Sequence, residues 1–242
     1  MIANSPFGHL KISRGGLPLF VSYVKETIEH KGKAYCIPLN VTKYELAKSD
    51  PKLRETIKNA HLVIADGSPI YWLGRRLKYR DVRRVSGIGL AEALLAESAR
   101  NRWSIFFLGA SPENLEKAMA KIKEKFPGIP IAGYLHGYFR PEDLPRIVST
   151  INEVKPDLFF LGLGLPQKEY FIHDHFHKID AAFWLAVGGA FDVWAEVKRR
   201  SHPLVQKIGL EWLFRSLYDK SRAAYILKYG VHFLGDFLTI KK

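Results

Sequence analysis

Cysteine is nearly absent from this chain: Cys36 is the single one in 242 residues. One cysteine excludes an internal disulfide and suits a reducing compartment. Cys36 lies in an apolar run, so it is expected to be buried and not nucleophilic. Long apolar runs are missing too. The nearest to one, 223–240, is interrupted by Lys228, His232 and Asp236, whereas a bilayer-spanning helix needs about 20 mostly apolar residues. The opening Met1-Ile2-Ala3-Asn4-Ser5-Pro6 lacks the basic-then-apolar order of a signal peptide. These absences together predict a cytosolic protein. The sequence has no Walker A motif, no internal repeat, no low-complexity tract and no Asp-x-Asp. Without Asp-x-Asp, a common Mg²⁺ or Mn²⁺ holder in nucleotide-sugar transferases, diphosphate charge would have to be met by Arg, Lys and helix dipoles.

Acidic residues are the minority charge. Lys and Arg number 37 against 24 Asp and Glu, a formal net charge of +13. Such an excess concerns partners rather than fold, and nucleic acid, anionic lipid and phosphorylated substrates all satisfy it. Its distribution narrows the choice. The stretch 75–84 holds six basic residues (Arg75, Arg76, Lys78, Arg80, Arg83, Arg84) against Asp81 alone. A second basic region runs from Lys198 to the C-terminus, interleaved with aromatics.

What is present is a folded chain's composition, 47% apolar and 13% aromatic, with length for one large domain or a domain plus an appendage. Short apolar runs at 34–39, 62–65, 104–109, 129–134, 157–162 and 183–187 read as strands. Helical patterns at 18–30, 51–59, 87–100, 112–125, 141–154 and 168–177 fall between them. This alternation predicts an α/β fold, Rossmann-like, with a mostly parallel sheet and helices on both faces. It stops after about residue 195. The expected division is therefore a Rossmann-like domain over 1–195 and a basic, aromatic helical appendage over 196–242, with helices at 203–219 and 221–238. Aromatic and basic residues suit a helix lying in an anionic membrane interface; a helix pair docked on the sheet domain is the alternative.

Strand ends carry the chemistry. Asp66-Gly67 closes the second apolar run. Leu108-Gly109-Ala110-Ser111, Gly162-Leu163-Gly164-Leu165-Pro166 and Val187-Gly188-Gly189-Ala190 close others, each ahead of a helix. In open α/β sheets ligands bind at the carboxyl ends of the strands. Glycines let backbone approach a ligand there, and helix N-termini favour phosphate. A nucleotide or diphosphate site follows, although Asp-Gly alone is also a common turn. Gly162-Leu163-Gly164 begins like a dinucleotide fingerprint but lacks the later Gly and lies late in the chain. A nicotinamide-type oxidoreductase and a non-enzymatic nucleic-acid binder are the alternatives from other classes; the binder gives no reason for Asp66 to sit among the strand-end glycines. Glu169, His173 and His177 share one helical face, a spacing that could hold Zn²⁺ but reads better as a polar helix face. No metal or other cofactor is expected.

Taken in order, these motifs resemble the WecG/TagA/CpsF family, glycosyltransferase family 26. The resemblance runs through Asp50-Pro51, Ala60–Gly67, Arg84-Val85-Ser86-Gly87, Phe107–Ala110, His136–Phe139, Gly162–Glu169, Val187–Asp192 and Gly209–Arg215. It implies an inverting, metal-independent transferase. Such enzymes move a sugar of the N-acetylmannosamine, N-acetylmannosaminuronic acid or glucuronic acid type from a UDP-sugar to a polyprenyl-diphosphate-linked sugar. They work at the cytoplasmic face of the membrane, in teichoic acid, common antigen or exopolysaccharide synthesis. The family's catalytic base falls on Asp66. Its C-terminal appendage, with Arg215 and Arg222 matching, is thought to bind membrane and supply arginine to the site. The chain departs from the family at Pro38-Leu39-Asn40 (for Thr-x-Asn), at Lys168 (for Gln), at Gly87-Ile88-Gly89 (for Gly-x-Asp) and around Ala195-Glu196 and Arg200–Pro203. These departures leave the donor sugar open.

The expected mechanism is a single in-line displacement. Asp66 removes the acceptor proton as general base, which requires an ionised carboxylate favoured by nearby cations. Arg84, Lys168, Arg215 and Arg222 are candidates to neutralise UDP or the lipid diphosphate. Gly67, Gly109, Gly164, Gly188 and Gly189 give the nucleotide access to backbone, and Asn40 and Gln167 are candidate sugar contacts. The partners are thus a UDP-sugar donor, a polyprenyl-diphosphate-sugar acceptor and an anionic membrane surface, not nucleic acid. A homo-oligomer is left open.

Overall fold

The computed structural model describes residues 2–197 and 220–240. A hairpin, β1 (Asn4–Phe7) and β2 (Leu10–Ser13), precedes α1 (Leu17–Glu29). The main domain then runs β3 (Ala34–Leu39), α2 (Val41–Ser49), α3 (Pro51–Asn59), β4 (Leu62–Ala65), α4 (Ser68–Arg76), α5 (Gly87–Asn101) and β5 (Ile105–Gly109). It continues with α6 (Pro112–Lys125), β6 (Ile131–Leu135), α7 (Leu144–Val154), β7 (Leu158–Gly162), α8 (Gln167–His175), β8 (Phe183–Ala186) and α9 (Ala190–Trp194), and α10 (Lys220–Thr239) follows.

The six strands from β3 to β8 form one parallel sheet in the order β4-β3-β8-β7-β5-β6. This is the predicted α/β fold. Each predicted strand is found within one or two residues of its expected bounds. The sheet is buried on both faces, so its strands are apolar throughout rather than alternating. Successive residues feed opposite cores. Ile37, Leu39, Val63, Leu108, Phe159 and Trp184 face α2, α3, α4, α7 and α8. Cys36, Ile64, Phe107, Phe160 and Leu185 face α1, α5, α6 and α9. Cys36 is fully buried, and burial pushes its thiol pKa well up, which leaves it inert as a nucleophile.

Three features lie outside the sequence expectation. The β1–β2 hairpin packs beside β4, where the Ser13 hydroxyl accepts a hydrogen bond from the Val63 amide at 2.8 Å. α2 is polar along much of its length and so carries little apolar periodicity, yet Asn40 caps it: its Oδ1 accepts from the Lys43 amide at 3.0 Å. The segment after α4 runs beside β4, with Val82 bridged to Gly15 and Arg84 to Ala65. Pro38 sits in β3 beyond the last residue paired with β8, so its missing N–H costs that ladder nothing.

α10 packs against α2. Phe233 is buried edge-on to Tyr44 at 5.5 Å, and Asp236 pairs with Lys48 at 2.8 Å. From α4, Arg76 donates to the Leu238 carbonyl at 2.6 Å and lies over the Phe237 ring. Val231, Leu234 and Leu238 of α10 remain exposed. The expected helix at 203–219 lies outside the described residues. Among the described residues no helix is long and apolar enough to cross a membrane.

Candidate active site at the strand ends

A parallel sheet delivers all its carboxyl ends to one edge, and the glycine-bearing loops predicted from sequence all emerge there. The chain leaves β3, β4 and β7 toward one face but β8 and β5 toward the other. Neighbouring loops therefore part above β3/β8, above β8/β7 and above β7/β5, the kind of place where open α/β sheets bind ligands.

Asp66 lies one residue beyond β4. Its amide donates to the Leu39 carbonyl at 2.9 Å, which extends the ladder and fixes the backbone of the half-buried Asp66. Gly67 follows at φ 105°, a conformation open to glycine and strained for L-residues with a side chain. That turn lets α4 begin at once, with Ser68 buried and Pro69 in its first turn. The Ala65 carbonyl accepts from the Val85 amide at 3.0 Å, which holds Arg84 alongside. The Arg84 guanidinium donates to the Ser68 hydroxyl at 3.2 Å. Ser86 then caps α5, its hydroxyl accepting from the Gly89 amide. α4 thus begins two residues after Asp66 and α5 three residues after Arg84, and both helix N-termini favour anionic ligands.

The other predicted residues separate into groups. Gln167 and Gly164 are exposed together at the start of α8, where a Cβ on Gly164 would lie 3.4 Å from Gln167 Oε1. Gly189 is exposed and Gly188 half-buried at the start of α9. Gly109 answers to the neighbouring strand: at φ 150°, its Cβ would lie 2.5 Å from Gly162 Cα. Asn40 spends its side-chain oxygen on the α2 cap. Lys168 is buried, its ammonium 3.3 Å from Glu169 Oε2. Burial pulls its pKa down to about 8 against the opposing pull of Glu169. Arg215 lies outside the described residues, and so does the side chain of Arg222 in α10.

Sequence reasoning missed Lys43 and the role of Glu169. Lys43 Nζ donates to the Pro38 carbonyl at 2.7 Å and pairs with Glu169 Oε1 at 2.9 Å. The available signal was a Lys three residues past a capping Asn, but that needed α2 to be recognised as a helix. Glu169 and His173 turn to different partners: Glu169 to the two lysines, His173 to Asp174 and Glu55. Among the described residues no group of three potential metal ligands forms. Two recesses, of about 410 and 610 Å³, lie away from this edge. One is lined by Lys121, Phe126 and Trp194, the other by Arg14, Tyr79 and Ile240. Neither is lined by Asp66 or by the glycine-bearing loops that leave the parallel sheet.

Fold and site define an α/β protein whose strand-end edge brings helix N-termini, Arg84 and the Asp66 carboxylate together. A family model confirms and sharpens that class: residues 6–241 match the glycosyl transferase WecG/TagA/CpsF family, and the chain belongs to it. A Staphylococcus aureus (strain NCTC 8325 / PS 47) relative named N-acetylglucosaminyldiphosphoundecaprenol N-acetyl-beta-D-mannosaminyltransferase is 33% identical over 168 residues, 69% of this chain and 65% of the relative. The matched region is thus slightly under two thirds of that relative's length. A Bacillus spizizenii (strain ATCC 23059 / NRRL B-14472 / W23) relative of the same name is 28% identical over 220 residues, 90% of this chain and 85% of the relative.

Proposed function

We propose that this protein is an inverting, metal-independent glycosyltransferase. It moves N-acetylmannosamine from a UDP-sugar to N-acetylglucosaminyl-diphospho-undecaprenol at the cytoplasmic face of the membrane. One observation supports the reading: Asp66 follows β4 directly at the strand-end edge, two residues before α4, with Arg84 bridged alongside at Ala65. The relatives' names supply the sugar and the acceptor.

In this reading Asp66 accepts the proton of the acceptor hydroxyl as its oxygen attacks the donor's anomeric carbon and UDP departs. A general base in this step needs an ionised carboxylate, which nearby cations favour. Arg84 and the first turns of α4 and α5 meet the leaving diphosphate, in place of the cation an Asp-x-Asp would hold. Gly164, Gln167, Gly188 and Gly189 border the donor sugar and nucleotide. Residues 196–242 serve as the membrane-facing appendage. The exposed Val231, Leu234 and Leu238 support that role, as do Trp72, Arg75 and Arg76 on the adjoining α4. The test is release of UDP from a panel of UDP-sugars with a short polyprenyl-diphosphate-N-acetylglucosamine acceptor in EDTA. N-acetylmannosamine transfer is expected. A strict need for added Mn²⁺, or transfer of another sugar alone, overturns the corresponding part.

A further inference from the structure

Beneath the strand-end edge, two helices that leave different strands meet through charge. Lys43 stands in the first turn of α2, and Lys168 and Glu169 in the first turn of α8. Their side chains are 4, 5 and 0% exposed. The Glu169 carboxylate is divided between them, Oε1 to Lys43 at 2.9 Å and Oε2 to Lys168 at 3.3 Å. Lys43 also reaches back to the Pro38 carbonyl at 2.7 Å, so the trio is tied to the end of β3.

Burying charges is expensive. Each ion loses several kcal/mol of hydration, and well-packed apolar residues of equal volume commonly serve stability as well or better. A trio whose only task was to fill space would therefore be poorly chosen here. Its charges do not cancel either: two ammonium groups flank one carboxylate. The additional anion within their field is Asp66, which acts on Lys168 and, together with Lys43, on Cys36. The Lys168 side chain spans from α8 to the end of β8, where a Cβ on Gly188 would lie 4.0 Å from its Cε. The trio thus links the loop ends after β3, β7 and β8 below the carboxylate that follows β4.

We infer that Glu169 is a positioning residue for the transfer reaction: by holding Lys43 and Lys168 it locks the loops bearing Asn40 and Gln167 to one another and sets the field in which Asp66 accepts its proton. The inference rests on Asp66 being the base. The Lys168 ammonium, drawn down to about 8 by burial, keeps its proton chiefly through Glu169. The groups facing the Glu169 carboxylate are Lys43 from α2 and Lys168 and Tyr170 from α8, while Asp66 beyond β4 also acts on Lys168. Just before α3, Asp50 accepts from the Tyr170 hydroxyl, and in α3 Lys52 is already paired with Asp174. Removing the carboxylate leaves the two cations unbalanced, and the groups around them release protons more readily. Both limbs of the pH–rate profile then move to lower pH.

The test compares wild type, Glu169→Gln, Lys168→Met/Glu169→Gln and Asp66→Asn, with UDP release followed from pH 5.5 to 9.5 alongside thermal melts. The expected Glu169→Gln enzyme is folded, loses at least tenfold in kcat with KM for the UDP-sugar changed less than threefold, and has its profile displaced to lower pH. Wild-type kcat and an unmoved profile in the folded variant reduce Glu169 to a structural residue and overturn the inference. If Glu169→Gln fails to fold, the double variant decides. It removes one cation with the anion and keeps the trio's net charge; recovery of wild-type kcat overturns the inference, and a persistent tenfold loss supports it. Asp66→Asn separates the two claims. Near-normal turnover there overturns the base reading itself. An inactive Asp66→Asn beside an unperturbed Glu169→Gln overturns the Glu169 inference alone.

Discussion

Gly87 rests against Pro38: a Cβ on Gly87 would lie 2.8 Å from Pro38 Cγ and 3.1 Å from its Cβ. The ring occupies space at the start of α5 that a smaller residue would leave free. It thereby sets how closely the Ser86 cap approaches the end of β3. Gly87→Ala is expected to cost about 1–3 kcal/mol through overpacking, a fall of several degrees in Tm for a chain of this size. Pro38→Ala in the same chain should return most of that loss. A double-mutant cycle by chemical denaturation measures the coupling, expected at about 1 kcal/mol or more.

Asp66 and Arg84 make separable predictions. Asp66→Asn keeps the side chain's shape and removes the base, so kcat is expected to fall about 10²–10⁴-fold with little change in KM. Arg84→Met removes a cation and its bond to Ser68. It should raise KM for the UDP-sugar and weaken UDP binding by calorimetry, with a smaller loss in kcat. A variant pair showing the opposite split would reassign the two residues.

Lys168 makes stability depend on pH. Its folded pKa of about 8 lies below the ordinary lysine value of 10.5. Between these values the unfolded chain binds more protons, so stability gains from this group as pH rises. The shift corresponds to about 3 kcal/mol at most. Lys168→Met has no such titrating group. Its stability relative to wild type should therefore be most favourable below pH 8 and decline toward pH 10.5, as read from urea midpoints across that range.

The two sides of α10 should fail differently. Phe233→Ala removes a buried ring from the Tyr44 contact and is expected to lower Tm, a fully buried Phe costing about 3–5 kcal/mol. The triple change Val231→Ser, Leu234→Ser, Leu238→Ser touches exposed positions and should leave Tm nearly unchanged. Its expected effect is weaker flotation with anionic liposomes. Undiminished flotation would move membrane attachment elsewhere.

The sheet was legible because it is buried on both faces. Runs such as Leu62–Ala65 and Phe183–Ala186 are apolar at every position, and each ends in a glycine or an Asp-Gly. α2 escaped for the opposite reason: its buried residues include Lys43 and Glu45, so polarity concealed a packed helix. The β1–β2 hairpin escaped because four-residue strands carry too little pattern. At the site, Asp66 could be read from its place after a strand. Gly109 could be picked out but not explained, since its constraint is the backbone of Gly162, fifty-three residues away in sequence. The Lys43–Glu169 pair joins residues in helices after different strands, a relation that only the strand order reveals.

The bridge between Ala65 and Arg84 has a consequence for how the site meets a ligand. Arg84 belongs to a backbone already stitched to β4, not to a loop that must be gathered on binding. Ordering a free segment costs about 1–2 kcal/mol per residue. Here that ordering is completed when the chain folds, so an anion reaching Arg84 finds its partner in place and keeps more of the contact energy as affinity.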